Sequence, residues 1–442
     1  MQTTDTTHTN EGAGRPTRRA ILALPVAAGL LASGAVSAPA HAGAPRLAPG
    51  AGAAGLVVLD WNRIMLRTFA EPPPAGLPVP VQGLYAGFVG AAVSNAVVAV
   101  EGGYAPYVPQ APAARDASVE AAVSTAAREV LGALVPSSAA NLEDDLQRWL
   151  SQVGDPAARA AGVSAGHQAA ALVLAARVGD GRGAPVTLTT TPGPGIWDPP
   201  PTGMLVPWLG FVRPMAVPSQ TWLGLPGPDP LDSDRYAADF AEVASMGSRT
   251  GSARTQEQTE NALFYNANAV AQYNVGLRNR LARDGSRARE ASRALGLLNI
   301  TTADALISCW RVKYDVHNWR PQQAIQRAGT DGNTATVADA TWEPLVLNPP
   351  YGDYASGHAC LTGAFSETMA NLYGRSRIDV DLFSSITGTT RHYANASAVN
   401  QDTKNARIWL GLHFRRAKDD GNRIGRKTAD HVVRTVLTPA GS

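Results

Sequence analysis

The stretch KYDVHNWRP, Lys313 to Pro321, sets a lysine and an arginine seven residues apart at the end of a long helical sequence pattern. Seven residues make about two helical turns, so both side chains fall near one face and could converge on a single anion. Pro321 disfavours helical geometry at the residue before it, which predicts Arg320 at a helix end with its guanidinium free to turn. Trp310, one turn before Lys313, falls on the same side and would wall the site. Alone, a Lys and an Arg at this spacing are more often a solvated face. Two further clusters change that reading: YASGHA, Tyr354 to Ala359, and ARIWLGLH, Ala406 to His413.

Ser356-Gly357-His358 precedes apolar residues at helical spacing, Leu361, Phe365, Met369 and Leu372. Ser is a preferred helix cap, the amides of a first helical turn bind oxyanions, and Gly357 lets backbone come close. His358 would stand beside the anion, where positive neighbours lower its pKa and leave it neutral enough to accept a proton. Arg407 and His413 are six apart, about 120° off a shared helical face. Either the length of the arginine makes up the difference or Arg407 precedes the helix; in both cases His413 approaches the anion opposite Ser356. One Lys, two Arg, a Ser and two His suit a buried tetrahedral oxyanion.

In order and spacing these clusters resemble the superfamily shared by vanadium-dependent haloperoxidases and type 2 phosphatidic acid phosphatases. Its pattern is Lys, six residues, Arg-Pro; then Pro-Ser-Gly-His; then Ser-Arg, five residues, His and an Asp four further on. Lys313 and Arg320-Pro321 match the first part, Ser356-Gly357-His358 the second with Ala355 for Pro, and Arg407 with His413 the third with Ala406 for Ser. Ala417 stands where phosphatase members place the Asp that fixes the second His, with Asp419 or Asp420 as candidates to replace it. The long helical N-terminal half, RTQEQTENALFY (Arg254 to Tyr265), Trp310 and NPPYGDYASGH look like the haloperoxidase branch.

The resemblance implies an all-α fold of two helical bundles and a vanadate cofactor, with phosphate as its analogue in the same pocket. Lys313, Arg320, Arg407, Ser356 and the Gly357 amide would hold the oxygens. His413 would be the axial metal ligand, and His358 the acid-base residue. Lys313 would polarise hydrogen peroxide, and oxidised halide would pass to a small organic acceptor. Trp310 and Tyr351 would line the halide pocket; Tyr351 stands where the branch has Phe or His, which leaves chloride against bromide open. The alternatives are an exported acid phosphatase, with His413 as nucleophile and His358 as general acid, and a non-catalytic oxyanion-binding scaffold.

Outside the clusters, 45% apolar and 17% charged residues over 442 positions describe a globular chain, and a net charge of +2 gives no reason to expect nucleic acid as a partner. Thr17-Arg18-Arg19, an uncharged run to Val36 and Ala40-His41-Ala42 read as a twin-arginine export signal over residues 1–42. The mature chain, 43–442, is then a single all-helical domain outside the cytoplasm, secreted or wall-associated, with a homodimer left open. Gly83 to Val100 touches the length of a membrane span but carries Ser94, Asn95 and several Gly, which predicts a buried core helix and no membrane span in the mature chain.

Helical texture is predicted over 55–69, 113–134, 139–153, 156–178, 234–246, 255–283, 286–298, 301–319, 356–373, 403–416 and 421–437, with no sustained strand pattern. Residues 183–230, rich in Pro and Gly with Trp197, Trp208 and Trp222, form an irregular excursion expected to cover something or to pack the two halves together. Cys309 and Cys360 flank the clusters and are read as two buried thiols. His167, His317, His392 and His431 are left over, and their spacing suggests no zinc or iron site.

Overall fold

A computed structural model describes residues 53–73 and 75–441; the export signal read over 1–42 lies outside them. The chain is all-α. Thirteen α-helices occur among the described residues, with three short 3-10 turns and one two-stranded hairpin.

Helices α1 (Ala53–Ala70), α2 (Val79–Glu101), α3 (Val119–Leu134), α4 (Ala139–Leu150) and α5 (Pro156–Ala176) form a first bundle. Their starts are written locally. Ser118 accepts the Ala121 amide, and Asp155 accepts the Ala157 amide with Pro156 at the first helical position. Among the described residues α2 alone is long and apolar enough to cross a membrane, but 83% of its most apolar window is buried among neighbouring helices. Its glycines explain the close fit against α9 (Ala288–Val316): a Cβ on Gly87 would lie 2.8 Å from Ala303 Cβ and 3.2 Å from the Asn299 carbonyl.

After α6 (Asp234–Gly247), α7 (Gln256–Phe264) and α8 (Ala269–Arg283), α9 runs through both halves as a shared spine. Beyond it come α10 (Pro321–Gln326), α11 (Gly357–Tyr373), α12 (Ala396–Trp409) and α13 (Arg415–Thr435), of which α11 and α13 pack on each other and on α9.

Four elements differ from the sequence expectation. The helix expected over 255–283 is two, because Asn268 turns its side chain onto the Val270 and Ala271 amides and starts a new one. The helices expected over 286–298 and 301–319 are one, uninterrupted at Asn299, whose side-chain oxygen Oδ1 takes a buried hydrogen bond from Asn274 Nδ2. That helix stops at His317, which adopts φ +53 and caps it, so Arg320 is not on the helix of Lys313. The segment 403–416 is broken: α12 ends at Trp409 and α13 begins at Arg415, with Gly411 at φ +76 wedged against Gly247 and Pro344 where a Cβ would not fit. The hairpin, β1 (Val380–Phe383) paired antiparallel with β2 (Thr390–Tyr393), is too short for its alternation to stand out in sequence.

The excursion over 183–230 lies along α9. Asp304, fully buried in mid-helix, accepts the backbone amides of Met215, Ala216 and Val217 at 2.5–2.9 Å. Trp310 Nε1 donates to the Leu205 carbonyl, and the Trp197 amide donates to the His317 carbonyl. Trp197 joins the main core, Trp208 packs against it, and Trp222 packs on His431, while the segment lies over the end of α9 that carries Lys313.

Candidate oxyanion site

The three clusters come from four elements that meet beneath this cover. Lys313, in the last turn of α9, donates from Nζ to the carbonyls of Gly352 and Asp353 at 2.8 and 3.0 Å. Burial pushes its pKa down to about 8. Arg320 caps α10 in extended backbone, donating from Nε to Tyr351 O at 2.7 Å and from Nη1 to Leu412 O at 2.8 Å. Both cations sit 4.9 Å from the centre of the Tyr351 ring, which packs against Trp310 at 5.1 Å. Ser356 caps α11 as its position predicts, and Gly357 lies under the Trp310 ring, where a Cβ would be 3.3 Å away.

Arg407 lies in the last turn of α12, and His413 in the turn that follows, so neither arrangement expected for this pair is found and the angular mismatch disappears. Arg407 Nη1 reaches Tyr265 O at 3.3 Å, and burial pushes its pKa down to about 10. His413 Nδ1 lies 2.7 Å from Asp353 Oδ1, both side chains buried. With Asp353 ionised, Nδ1 carries the proton and Nε2 offers its lone pair. Burial and then Arg320 and Lys313 hold the His413 imidazole well below its usual pKa, in the neutral form a metal requires. His358 is held low by burial and Arg407; its Nε2 lies 3.3 Å from Ala267 O, and it is half-buried, unlike the other five motif side chains.

Asp353 corrects the search for a replacement at Ala417. Asp419 pairs with Lys404, and Asp420 accepts from Tyr354 and Arg416; neither touches His413. Burial raises the Asp353 carboxyl to about 7, against the lowering effect of Arg320 and Lys313. The sequence signal was present, since Asp353 is the acidic residue of NPPYGDYASGH. A second residue passed over is Lys418, fully buried in the first turn of α13, whose Nζ donates to Ser356 Oγ at 3.3 Å. It stands on the apolar stripe of Ala417, Gly421, Ile424 and Gly425, where a lysine is out of place.

Lys313, Arg320, Arg407 and Lys418 are each 0–2% exposed, and among the described residues none makes an ion pair. The one buried carboxylate beside them, Asp353, is engaged by His413. Arg320 Nη2 and Arg407 Nε are buried with no hydrogen-bond partner among the described residues. Buried cations without counter-charge cost several kcal/mol each, a cost that a multiply charged oxyanion among them would offset. The pocket's donors fit vanadate, and the lone pair of His413 Nε2 suits a metal centre.

The remaining histidines stand elsewhere: His317 caps α9, His392 pairs with Asp381, His431 packs on Trp222 and His167 meets Glu129. No cluster of His, Cys, Asp and Glu among the described residues could hold a metal ion by itself. Cys309 and Cys360 are buried free thiols donating to the Ala355 and Ala305 carbonyls. A cavity of about 240 Å³ behind Tyr354, walled by Leu223, Leu225, Val312 and Ile424, includes none of the motif residues.

Residues 293–441 match the family model of the VCPO second helical-bundle domain. Among solved structures the chain is similar to the first bacterial vanadium-dependent iodoperoxidase, at 20% identity and a TM-score of 0.70, covering 86% of this chain and 96% of that one. It is also similar to a bacterial vanadium-dependent chloroperoxidase, at 16% identity in both forms. The apo form gives a TM-score of 0.67 over 84% of this chain and 96% of that one, and the holo form 0.65 over 83% and 93%. No curated protein sequence matches. Residues 293–441 thus share the VCPO second helical-bundle domain, and the chain as a whole shares the fold of these solved structures.

Proposed function

We propose that this chain is an exported vanadium-dependent haloperoxidase that oxidises halide with hydrogen peroxide. The observation that carries the proposal is the set of four buried cations without ion pairs and a neutral, carboxylate-supported His413, with arginine donors left unpaired among the described residues. Lys313, Arg320, Arg407, Ser356 and the Gly357 amide would hold vanadate oxygens, and His413 Nε2 would ligate the metal. When bound, the group supplies a Lewis-acidic centre that activates peroxide for two-electron oxidation of a halide.

The protein's part is to position and to move protons. His358, neutral and half-buried, accepts the proton that arriving peroxide must lose. Lys313, fixed by two carbonyls, keeps a third N–H for an oxygen of the guest. Trp310 and Tyr351 form the aromatic wall and exclude water on that side. The oxidised halogen then reacts with a small organic acceptor. The twin-arginine reading of residues 1–42 supports export.

Acid phosphatase chemistry draws on the same pocket, and Asp353 supplies the imidazole support that Ala417 lacks. The likeness in fold to iodo- and chloroperoxidases favours the peroxidase reading. The test is vanadate- and peroxide-dependent halogenation of a dye with iodide, bromide and chloride in turn, beside hydrolysis of a phosphate ester. Halogenation that is lost in His413→Ala supports the proposal; ester hydrolysis without halogenation at saturating vanadate overturns it.

A further inference from the structure

Lys418 is the one buried cation of the pocket to which neither the motifs nor the resemblance assigned a role. Its only side-chain hydrogen bond among the described residues goes to Ser356 Oγ, so two of its three N–H donors remain. The acids near it are engaged elsewhere: Asp419 with Lys404 at 2.5 Å, and Asp353 with His413. The backbone delivers it rigidly. Ser356 N donates to Ala417 O at 2.9 Å, and Gly421 lies so close to the Ser356 carbonyl that a Cβ there would be 2.5 Å away. The first turn of α13 and the cap of α11 are therefore one unit, and the buried Lys418 points its Nζ at the Ser356 hydroxyl rather than out to solvent.

We propose that Lys418 is a further anion-binding residue, donating to the oxyanion beside the Ser356 hydroxyl and setting the pocket's preference for dianionic over monoanionic tetrahedral guests. The proposal rests on the reading of the pocket as an oxyanion site. A lysine that merely filled the core would stabilise the protein with or without a guest. A lysine whose counter-charge is the guest behaves oppositely: its burial penalises the anion-free protein, and the anion removes the penalty.

The experiment measures orthovanadate binding by calorimetry and melting temperature with and without orthovanadate, for the full chain and for Lys418→Met, Lys418→Gln and Lys418→Arg. Loss of one charge-assisted donor weakens orthovanadate binding by about 10- to 100-fold in the Met and Gln variants, and Arg recovers most of it. Selectivity for orthovanadate over the monoanion perrhenate falls in the same two variants. The anion-free melting temperature of Lys418→Met stays at or above that of wild type.

Unchanged orthovanadate affinity in Lys418→Met overturns the proposal. So does a lower anion-free melting temperature with an unchanged anion-induced rise, which marks a structural lysine. Should the Met variant not fold, equal weakness of Gln and Arg overturns it. A wild-type chain that does not bind orthovanadate overturns the pocket reading and this proposal together; wild-type binding with unaffected variants overturns this proposal alone.

Discussion

Replacing Asp353 by Asn separates the two things the pocket is held to do, attracting an anion and ligating its metal. The His413–Asp353 contact is 2.7 Å long between side chains that are 2% and 1% exposed, so no solvent is at hand to compensate for the lost carboxylate charge. Support of this kind for a ligating imidazole is worth about 10- to 100-fold in metal affinity, on the order of 1.4–2.7 kcal/mol. The substitution also removes a negative charge from a pocket proposed to bind anions. At a separation of roughly 7 Å and an effective dielectric of about 20, that favours any singly charged guest by on the order of 2 kcal/mol. Lys313 keeps both its hydrogen bonds, because it bonds the Asp353 carbonyl and not its carboxylate, and loses only the nearby negative charge.

The two effects oppose each other for vanadate, whereas phosphate, which forms no bond to His413 on binding, feels only the second. Orthovanadate and phosphate affinities are measured by calorimetry at pH 8, above the value of about 7 to which burial raises the carboxyl. In Asp353→Asn phosphate binds as well as or better than before, and the ratio of vanadate to phosphate affinity falls about 10- to 100-fold. A ratio that does not move would show that His413 is not the ligand, or that Asp353 does not support it.

His358→Ala leaves orthovanadate affinity within a few-fold of wild type but lowers halogenation turnover by about 10²- to 10⁴-fold, the usual worth of a positioned acid-base group; a collapse of affinity would make His358 structural. Lys313 carries a pH signature. Its pKa is lowered from 10.5 to about 8, so the anion-free fold binds fewer protons than the unfolded chain between those values. Stability then rises with pH across that window, by about 2 kcal/mol relative to Lys313→Met between pH 7.5 and 9.5, as read by urea unfolding; no divergence of the two proteins would contradict it. Asp304→Ala strands the three amides of Met215, Ala216 and Val217, costs about 3–5 kcal/mol, and opens the segment 183–230 to protease ahead of the rest of the chain. Cleavage elsewhere first would mean the segment is held by other contacts.

The residues legible in the sequence are those whose roles are local. Ser356 announces itself by a cap residue ahead of an apolar period, Arg320 by the proline behind it, and Lys313 by its place at the end of a long helix. Asp353 and Lys418 depend on approaches that no local pattern encodes. Asp353 meets His413 from 60 positions away, and Lys418 meets Ser356 from 62, across a helix crossing that Gly421 and Gly425 make close. Helix boundaries failed for a related reason. Asn299 looks like a break but finds a buried partner in Asn274, whereas residues 410–414 look helical but are turned by Gly411 packing on Gly247 and Pro344.

The same division bears on function. A motif names the groups that touch a guest, and those are shared by phosphatase and peroxidase readings alike. What separates an anion that merely rests in the pocket from one ligated through His413 is the orientation and charge state of that imidazole. The orientation is set here by Asp353 and the charge state by burial and then by Arg320, Lys313 and Lys418, so residues absent from the motif share in deciding which chemistry its residues can perform.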